Sequence, residues 1–185
     1  MTLPLPSWVV AVLMQDDMLA LNRAIGIVRR RNLAVASVSL GPSQRIGVVR
    51  LTAIVATDAA AVDRMANQLR KMVGVLEVTV MPEGDCLTRE HALVRVRVSP
   101  AELAAVLDTA ELYQARVVEE SATDVVLEAT AAPATLVSLL RALEPFGVLE
   151  VVRGGAIALA RPAPDAQSGG RAARPLPRVP RAIPA

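Results

Sequence analysis

Cys86 and His91 stand five residues apart with Asp85 beside the thiol, and thiolate, imidazole and carboxylate are the groups that hold zinc. Zinc sites take three or four protein ligands, and the chain has a single cysteine and a single histidine. The trio therefore reads as a linker thiol and a strand-end histidine. Two acidic pairs, Asp16-Asp17 and Glu119-Glu120, are of the type that does general acid–base work. Adjacent carboxylates on a turn or strand are ordinarily solvated charges, and no nucleophile with its base stands beside either pair. Gly154-Gly155 and Gly169-Gly170 lack the lysine and the spacing of a phosphate loop. The expectation is a chain with no catalytic residue, no metal site and no cofactor of its own.

The elements around these residues are legible from periodicity. Trp8 to Gln15 is an apolar run of strand length that ends in the turn Asp16-Asp17-Met18. A helix from Ala20 to Arg31 follows, because Leu21, Ala24, Ile25 and Val28 recur at i, i+3, i+4 and i+7. Strands at Val35 to Leu40 and Gly47 to Ala56 are joined across Gly41-Pro42. Val62, Met65, Ala66, Leu69, Met72 and Val73 mark a second helix, and Val75 to Met81 a last strand. The order is β-α-β-β-α-β.

The same order returns after a connection at Pro82 to Thr88. Ala92 to Val98 alternates Val94, Val96 and Val98 against Arg95 and Arg97. Ser99-Pro100-Ala101-Glu102 reads as a capping box opening a helix with Leu103, Val106, Leu107 and Ala110 on its face. Arg116 to Glu120 and Asp124 to Thr130 are strands. Leu136, Leu139, Leu140 and Leu143 mark a helix stopped at Pro145-Phe146-Gly147, and Val148 to Arg153 is the final strand. Gly-Val-Leu-Glu-Val occurs at Gly74 to Val78 and again 73 residues later at Gly147 to Val151, each time after a helix carrying Leu-Arg. The expected fold is α+β: two ferredoxin-like βαββαβ domains, residues 8-82 and 89-161, and a disordered tail, 162-185.

Composition restricts the function. The apolar fraction of 53% is carried by Val, Ala and Leu, with one Trp, one Tyr and one Phe, so the sheets lack the aromatic platforms on which RNA bases stack. The tail holds Arg171, Arg174, Arg178 and Arg181 against Asp165, which places the basic charge there and leaves the body near −1 of the total +2. A solvated helix face is the default for Arg29-Arg30-Arg31, and no nucleic-acid partner is expected. No apolar run reaches the roughly 18 residues of a membrane helix, and the start of the chain lacks a signal-peptide pattern. A lone cysteine fits a reducing, cytoplasmic setting. Trp8 to Met14 is apolar on both faces, so the first strand should be central and covered twice, and the first half should carry the self-association or partner surface.

Several ordered blocks resemble one family. Ala20-Leu21-Asn22-Arg23-Ala24-Ile25-Gly26, Arg31 to Val38, Gln68 to Val78, Arg89 to Val94, Tyr113 to Val118 and Leu149 to Gly155 are similar to the small, regulatory subunit of acetolactate synthase (acetohydroxyacid synthase), over about residues 8 to 161. The resemblance implies an N-terminal ACT domain, an ACT-like second half, and a homodimer made through the ACT domain. It implies a partner, the large catalytic subunit carrying thiamine diphosphate, Mg²⁺ and FAD, which makes acetolactate in valine, leucine and isoleucine biosynthesis. A branched-chain amino acid is the implied effector, at Asp16, Asp17, Leu19, Ala20, Ala34 and Val35. This turn departs from the family's Asn-Glu-x-Gly-Ala/Val-Leu: Asp16 replaces an amide with a charge, Leu19 stands where glycine allows close approach, and Ala34 replaces an asparagine. A weakened effector site is expected. The alternative is a stand-alone ACT-type amino-acid sensor that regulates another enzyme.

Overall fold

A computed structural model describes residues 5–30 and 33–162. The expected tail beyond Pro162 and the arginine at position 31 lie outside the described residues, as do the side chains of Arg29 and Arg30. In chain order the elements are β1 (Ser7–Gln15), α1 (Met18–Arg30), β2 (Ala34–Pro42), β3 (Val48–Ala56), α2 (Ala59–Arg70) and β4 (Val75–Pro82). The second half has β5 (Cys86–Arg97), α3 (Leu103–Leu112), β6 (Arg116–Glu120), β7 (Asp124–Ala131), α4 (Pro133–Leu143), β8 (Val148–Arg153) and β9 (Ile157–Ala160). The sheets run β2-β3-β1-β4 and β6-β7-β5-β8, one βαββαβ unit each, as the repeat predicts.

The repeated pentapeptide marks equivalent positions. Gly74 and Gly147 both adopt positive φ, +90° and +88°, which glycine reaches without a Cβ penalty. Each carbonyl accepts a hydrogen bond from the end of the central strand, Gly74 from the Gln15 N–H at 2.8 Å and Gly147 from the Arg97 N–H at 3.0 Å. Both central strands also shift register at this end, between Leu13 and Met14 and between Arg95 and Val96.

Each half has its own core between sheet and helices. Val10, Val12 and Met14 of β1 pack with Ala24 and Val28 of α1 and with Val62, Met65, Ala66 and Leu69 of α2. Val94 and Val96 of β5 pack with Val106 of α3 and with Leu136, Leu139 and Leu143 of α4. Fully burying a Val or Leu side chain is worth roughly 1.5–3 kcal/mol, so these stripes dominate the stability of each half. Three residues expected on helix faces lie outside: Ile25 and Leu107 are exposed, and Val73, in the turn beyond α2, is 81% exposed. Gly41 and Pro42 belong to β2, and the hairpin turn falls later, ending at Gly47 with φ +72°. The expected capping box is half formed. Glu102 accepts hydrogen bonds from the Ser99 N–H and hydroxyl, but α3 begins one turn after Pro100.

The largest departure lies between the halves. The stretch expected to be a connection from Pro82 to Thr88 is a 3-10 turn, Glu83–Asp85, followed by the start of β5. The first four residues of β5 pair with β9, a strand the sequence pattern does not announce. β8 and β9 follow one another along β5, interrupted at Gly154–Ala156.

Candidate functional site

The turn between β1 and α1 is tied down from both sides. The Asp16 N–H donates to the Gly47 carbonyl at 2.9 Å, and the Asp17 N–H to the Gln15 carbonyl at 2.8 Å. The Asp17 carboxylate accepts the Leu19 N–H at 3.1 Å, and the Asp17 carbonyl accepts the Leu21 N–H at 3.0 Å. A helix N-terminus offers unpaired N–H groups and a partial positive charge to an anion. Here the chain's own Asp17 already occupies that position. Leu19, 61% exposed, projects beside it, while Ala20 is buried. Ala20 Cβ lies 3.2 Å from where a Cβ on Gly74 would sit, so the start of α1 packs tightly against the turn that precedes β4.

Ala34 and Val35 do not join this turn within one chain. Both β1 and β2 run antiparallel to β3, and Ser7 and Ala34 both pair with Ala56. The start of β2 is therefore at the opposite end of the sheet from Asp16, roughly 26 Å away at ~3.3 Å per residue. The six family positions form two clusters, four residues at one end of the sheet and two at the other. Among the described residues β2 is an edge strand with one side unpaired, and Val35, Val38 and Leu40 on it are 40%, 43% and 47% exposed.

The other face of β2 is occupied by the second half. Ser37 Oγ accepts the Ala156 N–H at 2.7 Å, and Ser39 Oγ donates to the Ala156 carbonyl at 3.0 Å. Two side chains thus satisfy both backbone groups of a fully buried residue. Arg50 of β3 donates to the Ala158 carbonyl at 3.1 Å. A Cβ on Gly155 would clash with the Val38 carbonyl oxygen and sit 2.6 Å from its carbon, so the close approach requires glycine. Beneath this clasp Val9, Ile54, Cys86, Ala156 and Ala158 form a third buried cluster. The strand expected to be covered twice is thus covered on its second face, at Val9, from within the chain.

The residues first considered for chemistry are separated. Cys86 and His91 differ by an odd number along one strand and face opposite sides of it. Cys86 is buried in the third cluster, and burial, followed by the charges of Asp85 and Glu83, pushes its thiol pKa up. His91 is exposed, with Nδ1 3.0 Å from Thr130 Oγ1 and Nε2 3.5 Å from Glu128. Glu128 is hydrogen-bonded by Arg116, which holds its carboxyl below the usual range. Glu119 and Glu120 are exposed on β6. Among the described residues no three His, Cys, Asp or Glu side chains gather as a metal site, and no helix is long and apolar enough to cross a membrane.

Sequence reasoning missed Glu90 and Arg153. Arg153 Nε and Nη2 hold the Glu90 carboxylate at 2.8 and 2.6 Å, with Glu90 only 7% exposed. The two are 63 residues apart, and no local pattern connects them. Ser37, Ser39 and Gly155 were also missed as contacts, although Gly154-Gly155 without a phosphate-loop lysine was a signal of close backbone approach.

Two successive βαββαβ units, each a sheet backed by two helices, define a two-domain protein of ferredoxin-like type. Comparison with known proteins agrees. A family described as "ACT domain" matches residues 16–78, and one described as "Small subunit of acetolactate synthase" matches residues 89–162. The acetolactate synthase small subunit of Mycobacterium leprae is 31% identical over 157 residues, covering 85% of this chain and 93% of that one. That of Bacillus subtilis is 30% identical, covering 76% and 83%. The crystal structure of the Thermotoga maritima small subunit superposes with a TM-score of 0.77 at 24% identity, over 84% of this chain and 97% of that one, which shows the shared fold. The chain belongs to the acetolactate synthase small-subunit family.

Proposed function

We propose that the chain acts as the regulatory, non-catalytic subunit of an acetolactate synthase, activating a separate large subunit in branched-chain amino-acid biosynthesis. The observation that carries this is the ordered match of both halves to the family across 85% of the chain. A stand-alone amino-acid sensor is not favoured, because the second half matches the small-subunit family and not a generic ACT domain alone. Thiamine diphosphate, Mg²⁺ and FAD would belong to the large subunit. The single buried cysteine supports a reducing, cytoplasmic setting. Adding the purified chain to the large subunit of the same organism should raise acetolactate formation several-fold. No stimulation, or acetolactate made by this chain alone, would overturn the reading.

A homodimer through the β2 edges is part of the proposal. A nine-residue edge without a strand partner among the described residues, with Val35, Val38 and Leu40 exposed, is an incomplete sheet. Antiparallel pairing of two such edges about a two-fold axis sets the start of one β2 beside the end of the other. That end neighbours Asp16 to Ala20, so the two separated clusters of family positions would meet across the dimer. We infer that this composite site binds a branched-chain amino acid weakly. Asp17 already takes the Leu19 N–H that a ligand carboxylate would need, and Asp16 adds a like charge. Losing two charge-assisted contacts at roughly 1.5 kcal/mol each lowers affinity about a hundredfold. Calorimetry with valine on the wild type and on an Asp16→Asn, Leu19→Gly, Ala34→Asn triple variant tests this. Binding gained by the variant supports it, and tight binding by the wild type refutes it.

A further inference from the structure

Between the two halves lies a cleft of about 500 Å³ that the family's effector positions do not touch. Ser7, Ser37 and Ile54 project into it from the non-helical face of the first sheet, as their register along β1, β2 and β3 requires. Arg153, Glu90 and the Gly154-Gly155 backbone form the opposite wall, with Pro133 and Glu83 at the rim.

The arginine is the informative group. A guanidinium carries five N–H donors in a rigid fork, and Glu90 uses only two of them. Its remaining donors have no partner among the described residues, and the side chain is 35% exposed. A partly buried ion pair gains little over apolar packing, so its stabilising effect does not account for it. A carboxylate behind a guanidinium does, however, fix the fork in one orientation and leave its outer edge ready for a second planar anion. Two hydroxyls add to this donor set. Ser37 accepts from Ala156 and keeps its own hydrogen, and the Ser7 hydroxyl has no partner among the described residues. Pro133 begins α4, which has no side-chain cap, so partial positive charge also borders the cleft. Glu83 is the one charge here without a counter-ion among the described residues, and with Glu90 and Arg153 compensating each other it leaves the lining net negative, so a singly charged anion is held weakly, by the free guanidinium edge alone, and a doubly charged one is excluded.

We propose that this cleft binds a small monocarboxylate, its carboxylate taken by Arg153 and its short apolar body lying along Ile54 and Pro133. Both domains contribute walls, so an occupant would bear on the clasp of Ser37 and Gly155 directly. The site is separate from the β1–α1 turn, and its failure would leave the family assignment untouched.

The test is a titration of the full ¹⁵N-labelled chain with 3-methyl-2-oxobutanoate. Amide signals of Arg153, Gly154 and Gly155 should move saturably, and those of Asp17 and Leu19 should stay. Arg153→Lys keeps a charge beside Glu90 but removes the fork, and should weaken binding at least tenfold. Ser7→Phe fills the cleft, leaves the ion pair intact, and should do the same while its spectrum shows a folded chain. The proposal is overturned by the absence of saturable shifts up to about 20 mM, beyond the affinity of ordinary weak sites. It is also overturned by shifts confined to Asp16 to Ala20, or by binding that neither variant alters.

Discussion

The two halves share one topology and one pentapeptide, yet their helix-free faces have opposite fates. On the first sheet, Val9 and Ile54 are sealed under Ala156 and Ala158. On the second, Leu93, Arg95, His91 and Glu150 stand in solvent. Duplicating a fold therefore does not duplicate its surfaces: the first half has become a platform for docking, and the second supplies the segment that docks. The pairing of charges shows the same division. Glu90–Arg153 is held tightly at the junction, whereas Arg95 and Glu150 on the open face are 3.8 Å apart and at least half exposed.

The sharpest way to break this comparison is to remove one partner from each pair. Arg153→Met strands a buried carboxylate and should cost about 3–5 kcal/mol in urea denaturation. Arg95→Met should cost less than about 1 kcal/mol, because an exposed pair contributes little. Replacing Glu90 and Arg153 together by Leu and Met should recover most of the loss.

The two adjacent glycines give the next largest contrast. Gly155→Ala meets the β2 backbone and should destabilise the chain by about 3 kcal/mol. The nearest atom to a Cβ on Gly154 is the His91 carbonyl oxygen at 3.6 Å, an ordinary contact, so Gly154→Ala should stay within about 0.5 kcal/mol. Cys86 reports the mechanism. If Gly155→Ala undocks the halves, its buried thiol should react with a disulfide reagent many times faster than in the wild type.

Ser37→Ala should cost about 1–3 kcal/mol, because it leaves the Ala156 N–H buried without an acceptor. Ser37→Thr, which keeps the hydroxyl, should restore most of it.

These positions also define how far the sequence could be read. The order βαββαβ twice over, the buried alternation of Val94 and Val96, and the double-sided burial of β1 all follow from local periodicity, and they hold. The start of β5 and the whole of β9 were hidden. Ile157 to Ala160 is four residues long after two glycines, and its partner lies about seventy residues earlier. Burial of Glu90 is likewise set by an arginine distant in sequence. The site shows the same limit. Asp16 to Ala20 could be assigned to a helix N-terminus from sequence, but the internal cap by Asp17 and the distance to Ala34 depend on strand directions that only the folded sheet supplies.

The smallest expected effect comes from the open side of the second half. Hydrogen bonds from Ser99 hold the Glu102 carboxyl below its usual 4.5, and Arg116 does the same for Glu128. A carboxyl whose folded pKa is lowered stabilises the fold above its unfolded value and loses that contribution as pH falls through the folded one. The urea midpoint should therefore decline slightly as pH drops below about 4.5 and further towards the folded values. Ser99→Ala should flatten part of that decline.

β5 has a mechanical consequence. One unbroken strand of twelve residues pairs with β9 beneath the first half and then forms the centre of the second sheet. A bead-and-string joint would dissipate rotation in a slack connection. Here any turning of one half against the other must twist β5 about its own axis and shear its ladder with β9. The chain thus has a torsion bar at its middle, and a displacement imposed at either end reaches the other with little slack between them.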